Sequence, residues 1–125
     1  MKTDKTVYWI STSLISLMML FAAFAYFTSP MAKSGFTHLG FPDYFRIELG
    51  TAKILGAIAL VLPWVPSKMK GFAYAGFTIT FISAFIAHIS SGDPFKVAVN
   101  PIVALVILAV SYIYYTKTSK VNRAQ

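Results

Sequence analysis

Two ionisable residues, Glu48 and His88, lie inside or at the edge of long apolar stretches, where a lipid bilayer disfavours charge. Ionisable side chains in such positions usually face the interior of a helix bundle and mark a functional or structural polar cluster. A histidine beside a carboxylate suits proton exchange and hydrogen bonding to a ligand. Whether Glu48 and His88 meet depends on the helices that carry them.

Four apolar stretches run along the chain, at about 7–28, 47–62, 72–89 and 97–115. Of 125 residues, 57% are hydrophobic and 12% charged, too few charges for the surface of a soluble domain. A bilayer core takes roughly 20 apolar residues per helix, and the stretches lack the alternation of barrel strands. The sequence predicts one domain, an all-α, four-transmembrane-helix bundle. The helices are expected at about 7–28, 44–63, 70–90 and 97–116.

The net charge of +7 is distributed unevenly between the predicted loops. Seven basic residues fall on the three segments that share one side of a four-helix bundle: Lys2, Lys5, Lys68, Lys70, Lys117, Lys120 and Arg123. By the positive-inside rule, both termini are expected in the cytoplasm and the chain in the cell membrane. The charge thus predicts topology and contact with the lipid bilayer, with no nucleic-acid partner.

The absence of cysteine excludes several chemistries for the chain acting alone. Thiol–disulfide exchange, thiolate metal sites and structural disulfides all require that residue. A metal site is not favoured either, because one helical histidine with scattered carboxylates lacks a ligand pattern.

Small residues at helical spacing suggest how Glu48 and His88 approach each other. On the second predicted helix they follow the carboxylate: Ala52, Gly56 and Ala59. On the third they precede the imidazole: Gly76, Thr80 and Ala84. Such stripes let membrane helices pack closely, and a short loop makes these two helices antiparallel neighbours. We therefore predict that Glu48 and His88 meet at the outer end.

Other polar residues are expected at the same level or below it. Arg46 begins the second helix, Asp93 lies in the turn after the third, and Asn100 lies near the outer end of the fourth. Lys53 is deeper, and must find a partner across a helix interface, lose its charge or reach a water-filled pocket. With Glu48 and His88, these four form the candidate binding cluster. The cytoplasmic halves are predicted to hold no comparable ionisable group.

The long first loop, 29–44, is predicted to form a re-entrant turn or a short interfacial helix, since it combines Gly35, Gly40 and Pro42 with several aromatic residues. His38, within this loop, is interpreted as a surface or interfacial residue rather than a ligand.

The same residues resemble a known family. The segment 39–50, LGFPDYFRIELG, continues through Lys53, Gly56, Leu60 and Pro63, and together with AYAGF at 73–77 and AHISSGD at 87–93 it resembles the DoxX-like family. The resemblance spans nearly the whole chain and implies a small four-helix integral membrane protein. The family takes its name from a subunit of a membrane thiosulfate:quinone oxidoreductase, whereas most members have no assigned reaction. It supplies no catalytic set to carry over.

Two functions remain open. In the first, the protein is an accessory, non-catalytic subunit linked to quinone and membrane redox processes, in which His88 or Glu48 hydrogen-bonds a quinone. Because the chain has no metal, flavin or haem motif, it is not expected to be an enzyme on its own. In the second, it is a membrane assembly or interaction factor, partnered by a membrane redox complex or by its own copies, and the polar cluster is purely structural. Transport has less support, since the polar groups stop short of the cytoplasmic side.

Overall fold

The computed structural model describes residues 2–124, and all of its regular elements are helices. Five helices follow one another: α1 Lys2–Thr28, α2 Pro30–His38, α3 Asp43–Val61, α4 Ser67–Ser90 and α5 Phe95–Ala124. The all-α class is confirmed. The four long helices cover the four predicted ones, and α2 is additional.

The ends of the long helices differ from those expected. Helix α1 begins at Lys2 and α5 continues to Ala124, both beyond the predicted bounds. An apolar pattern detects only the membrane-length part of a helix, whereas polar residues at its ends can continue the backbone hydrogen bonds. Helix α3 stops at Val61 because Pro63 disfavours the helical conformation at Leu62, whose ψ is 122°.

The first loop contains the short helix α2. The Ser29 side chain accepts a hydrogen bond from the backbone N–H of Ala32 at 3.3 Å, and Pro30 takes the first helical position. Gly40, at φ +86°, then turns the chain toward α3. Of the two expected conformations for this loop, the structure has the helix.

Three helices have the length and composition of membrane spans: α1, α4 and the Phe95–Thr118 part of α5, with mean hydropathies of 1.9, 1.6 and 2.2. Helix α3 is not among the spans found in the described residues. Its 19 residues include four charged side chains, Asp43, Arg46, Glu48 and Lys53. They lower its apolar character relative to the other three helices.

The four long helices form a ring in the order α1, α3, α4, α5, and each packs against two neighbours. Ile15, Leu60, Phe81 and Leu108 fill the centre. The start of α1 and the last part of α5 lie at one end of the bundle with the α3–α4 turn, since the Tyr115 ring is 5.8 Å from the rings of both Tyr8 and Tyr74. We call this the lysine end. The opposite end, with α2 and the α4–α5 turn, is the histidine end.

Helix α3 turns a different face inward from the one predicted. Its buried residues are Arg46, Gly50, Lys53, Ala57 and Leu60, whereas Glu48 and Ala52 are exposed. The reason is the close packing of α3 on α1. A Cβ at Gly50 would lie 3.1 Å from the Phe27 ring, and the Ser16 hydroxyl donates to the carbonyl of Ala57 at 3.5 Å.

The stripe predicted on α4 does not form its buried face. The buried residues of α4 are Lys70, Tyr74, Phe77 and Phe81. Gly76 is exposed, and a Cβ there would meet nothing within 4 Å. Aromatic rings rather than small residues therefore fill the α3–α4 contact. Gly56 of α3 accommodates one of them, since a Cβ at Gly56 would lie 2.7 Å from Phe77 Cζ.

Candidate functional site: a histidine–aspartate cluster

The α4–α5 turn places one carboxylate between two imidazoles. Asp93 Oδ2 lies 2.7 Å from His88 Nδ1, and Asp93 Oδ1 lies 2.7 Å from His38 Nε2. A carboxylate accepts hydrogen bonds, so each imidazole donates one N–H and keeps its other ring nitrogen for another partner. We call His38, His88 and Asp93 the His–Asp–His cluster.

Backbone geometry brings Asp93 over His88. Gly92, at φ +78°, ends α4 in the left-handed conformation. The N–H of Gly92 donates to Ile89 O at 3.1 Å and the N–H of Asp93 to His88 O at 3.0 Å. This pair of bonds is the Schellman motif, which always brings the second residue after the cap back to the last turn of the helix. The side chains of Asp93 and His88 meet for that reason.

Aromatic packing holds α2, and with it His38, at the histidine end. The rings of Tyr26 and Phe36 are 4.8 Å apart and those of Phe41 and Phe45 are 4.9 Å apart. The His38 side chain is 55% exposed, compared with 23% for His88 and 15% for Asp93. His38 is thus a surface residue, as interpreted, but its bond to Asp93 was missed because the loop pattern did not locate the end of α2.

The two hydrogen bonds define the electrostatics of the cluster. The bond from His88, followed by that from His38, lowers the pKa of the Asp93 carboxyl from its usual 3.8. The carboxylate is therefore ionised at neutral pH and acts as a fixed acceptor. It selects the Nδ1–H form of His88 and the Nε2–H form of His38. The remaining nitrogens, His88 Nε2 and His38 Nδ1, can accept a hydrogen bond or take up a proton.

Arg46 belongs to a neighbouring contact rather than to the cluster. Its Nε and Nη2 donate to Asp43 Oδ1 at 3.2 and 3.1 Å, and its Nη1 donates to the backbone carbonyl of Tyr26. Since Tyr26 is near the end of α1, the buried guanidinium ties the end of α1 to the start of α3.

Lys53 is buried between α1, α3 and α4, with 6% of its surface exposed. Its Nζ lies 3.7 Å from Met19 Sδ and 5.1 and 5.8 Å from the ring centroids of Tyr26 and Phe81. Of the three outcomes expected for this lysine, the structure has partners across helix interfaces. They are polarisable groups, a thioether and two ring faces, which attract a cation without carrying charge. No salt bridge within residues 2–124 includes Lys53.

Glu48 and Asn100 lie apart from the cluster. Both are exposed, and neither side chain takes part in a hydrogen bond or ion pair in the part of the chain that the structure describes. The predicted contact between Glu48 and His88 is therefore wrong. The rotation of α3 that buries Arg46 and Lys53 points Glu48 away from the bundle.

The lysine end contains a buried ammonium group that the sequence interpretation missed. Lys70 is 4% exposed, and its Nζ donates to three carbonyl oxygens at the end of α3, those of Ala59, Leu60 and Leu62, at 2.8, 2.9 and 2.9 Å. A cation is stabilising where the last carbonyls of a helix have no partner. The prediction that this half holds no comparable ionisable group is wrong, because Lys70 caps a helix rather than facing solvent.

A second buried group at the lysine end is a chain of hydroxyls. The Ser111 hydroxyl lies 2.6 Å from that of Thr12 and 2.7 Å from that of Tyr74. These bonds join α1, α5 and α4 within the bundle. Three polar side chains thereby satisfy one another and leave little capacity for a ligand.

No group of three or more His, Cys, Asp or Glu suited to a metal ion occurs among residues 2–124. In the His–Asp–His cluster, both near nitrogens point at the carboxylate rather than at a common centre. The three side chains therefore form a hydrogen-bonded cluster.

Three apolar spans in a ring of four long helices define a small multi-pass membrane protein. The chain belongs to the DoxX-like family, whose model matches residues 10–111, from α1 to Ser111 on α5. The resemblance noted in the sequence is thereby confirmed. No curated protein and no solved structure matches the chain.

Proposed function

We propose that the protein is an accessory, non-catalytic subunit of a membrane complex that carries out a quinone-linked redox process in the cell membrane. The observation that carries the proposal is the His–Asp–His cluster. A quinone carbonyl accepts a hydrogen bond, and its reduction requires protons. A neutral imidazole whose N–H is held by Asp93 presents only an acceptor nitrogen, whereas the protonated ring has a second N–H that can supply both. The free nitrogens of His88 and His38 are the groups that would meet the quinone headgroup.

The position of Lys53 supports the same site. His88 follows Phe81 by seven residues on α4, about 10.5 Å along the helix and on the same face. The Lys53 ammonium lies 5.8 Å from the Phe81 ring. Lys53 and Phe81 are both buried, so a headgroup below His88 would reach this ammonium, which has three N–H groups and a methionine sulfur as a weak acceptor, only by displacing packed side chains. A carbonyl oxygen is a better acceptor for this ammonium.

The proposal includes α3 as a fourth membrane span, with both termini in the cytoplasm. Helix α3 lies in the ring between α1 and α4, both of span length. Two of its charged side chains, Arg46 and Lys53, are buried in the bundle, and its Asp43 is in the first turn. The lysine-rich end is the cytoplasmic one by the positive-inside rule. Cysteine accessibility on each side of intact cells would test this topology.

Quinone binding to the purified protein in nanodiscs tests the function. A short-chain quinone should bind saturably, and His88→Ala should weaken binding about tenfold, the equivalent of one hydrogen bond of about 1.4 kcal/mol. Asp93→Asn should weaken it similarly by releasing both imidazoles. Glu48→Gln, which changes an exposed carboxylate outside the cluster, is the matched control and should bind as the wild type does. Absent binding, or equal affinity in all four proteins, would contradict the proposal.

A second candidate function is that of an assembly or interaction factor, in which the cluster only fastens α2 to the α4–α5 turn. It is favoured by Gly76, which faces away from the bundle where a partner helix could approach closely. Co-purification of a membrane partner, or a homo-oligomer, that is lost in Gly76→Phe would support it. Gly56 is unsuitable for this test, because it packs against Phe77 within the fold. A partner retained by Gly76→Phe would count against it.

A further inference from the structure

A shallow groove of about 350 Å³ runs between α4 and α5 in the half of the bundle nearer the lysine end. Small residues create it, since Gly71 and Ala75 of α4 face Ala109 of α5, while Leu105 and Tyr112 form one wall. Gly71, Ala75 and Ala109 are all exposed, so the groove opens toward the lipid around the bundle. It is separate from the His–Asp–His cluster, at the other end of α4.

The groove suits an apolar chain better than a polar headgroup. The two hydroxyls that α4 contributes to its lining are already bonded within the protein. Tyr74 pairs with Ser111 at 2.7 Å, and Thr78 donates to the Tyr74 carbonyl at 2.7 Å. What the groove offers an occupant is therefore mainly methyl, methylene and ring surface, which matches a hydrocarbon tail.

Positive charge lies where the groove reaches the lysine end. Lys68 precedes Gly71 by three residues and Ala75 by seven, so it lies on the groove-lining face of α4, and it is exposed. Lys117 lies at the same end on α5, but its ammonium is 4.7 Å from the ring centroid of Tyr114, on the opposite face of α5 from the groove-lining Tyr112. Seven basic residues and one acidic residue belong to this end of the chain fold, against three of each at the histidine end. The groove thus ends in a field that attracts anions.

We propose that the α4–α5 groove binds one acyl chain of an anionic phospholipid, with the phosphate at Lys68. The exposed small residues admit the acyl chain, and Lys68 selects the charge of the headgroup. This site is independent of the proposed quinone site, since it shares no residue with it.

Lipid retention by the detergent-purified protein, measured by native mass spectrometry, tests the proposal. Phosphatidylglycerol should be retained more strongly than phosphatidylcholine of the same chains. Lys68→Gln should lower the retained phosphatidylglycerol about fivefold, the effect of one lysine near an anionic headgroup. Lys33→Gln, an exposed lysine at the histidine end, is the matched control and should change nothing. Ala75→Phe should displace both lipids by filling the groove, and sn-glycerol 3-phosphate, which has no chains, should not bind.

Equal retention of the two lipids, or equal loss in Lys68→Gln and Lys33→Gln, would overturn the proposal. Ala75→Cys distinguishes a bound lipid from a second copy of the protein in the groove, because the protein has no other cysteine. Efficient disulfide dimerisation through this residue in membranes, without lipid retention by the wild type, would assign the groove to a second copy instead.

Discussion

The two ends of the bundle use basic residues in opposite ways. At the histidine end, three basic residues accompany three acidic ones, and carboxylates hold the polar side chains: Asp93 holds both imidazoles and Asp43 holds Arg46. At the lysine end, seven basic residues accompany one acidic residue, and the buried Lys70 is held by backbone carbonyls instead. Carboxylates are thus the acceptors at the histidine end, whereas backbone carbonyls are the acceptors for the buried ammonium at the lysine end.

This difference separates residues that can meet a ligand from residues that cannot. Lys70 and the Thr12–Ser111–Tyr74 hydroxyls use their hydrogen-bonding capacity inside the fold. The imidazoles at the histidine end each use one nitrogen and retain the other. The buried polar groups at the lysine end are therefore expected to control stability, and the imidazoles at the histidine end to control quinone binding.

The largest effect on stability is expected from Lys70→Met. The substitution removes three charge-assisted hydrogen bonds and leaves buried carbonyls at the end of α3, at a cost of about 2–4 kcal/mol in the free energy of unfolding. The matched control is Lys5→Met, an exposed lysine at the same end and outside the groove, which should change that free energy by less than about 0.5 kcal/mol. Denaturation in detergent followed by circular dichroism measures both. Equal free energies of unfolding for the two variants would mean that Lys70 does not cap α3.

A smaller loss is expected from Ser111→Ala, which removes the hydroxyl between Thr12 and Tyr74. Interhelical hydrogen bonds in membrane proteins are weak on average, so the free energy of unfolding should fall by about 1 kcal/mol. Ser83→Ala, at an exposed position of α4, provides the comparison and should be nearly neutral. The same denaturation experiment distinguishes them. An unchanged free energy of unfolding in Ser111→Ala would show that the chain of hydroxyls does not contribute to stability.

The smallest effect on stability, one that should depend on pH in the acid range, is expected from Asp93→Asn. Folding lowers the pKa of Asp93 from 3.8, so the folded protein binds the carboxyl proton more weakly than the unfolded chain does. The contribution of Asp93 is therefore complete above pH 3.8 and is lost as the pH falls through the lower folded value. The difference in unfolding midpoint between wild type and Asp93→Asn should shrink on acidification. Glu48→Gln should show no such dependence, and a difference that grows in acid would contradict the assignment.

Hydropathy and turn residues predicted much of the fold, because lipid demands long apolar helices and Pro63 and Gly92 end them. The contact between His88 and Asp93 was also accessible to sequence reasoning, since Ser-Ser-Gly after a helical histidine matches a Schellman motif. The inward face of α3 was not, because the face that contains Gly50, Lys53 and Ala57 competes with the predicted stripe of Ala52, Gly56 and Ala59. Packing with Met19, Tyr26 and Phe81 on other helices decides in favour of the face that contains Lys53.

The cap that Lys70 places on α3 and the bond from His38 to Asp93 were missed for a related reason. The cap on α3 depends on how closely the first turn of α4 approaches the last turn of α3, and the bond from His38 depends on where α2 ends. Both are distances between elements that are separate in sequence. Residue spacing along a single helix contains no information about them.

The central claim, that Asp93 holds both imidazoles, is tested most directly by nitrogen-15 NMR of protein labelled in its two histidines. At a pH where the rings are neutral, His88 should carry its proton on Nδ1 and His38 on Nε2, and both sets of ring signals should shift in Asp93→Asn. An unprotonated Nδ1 on His88, or a spectrum unchanged by Asp93→Asn, would contradict the claim.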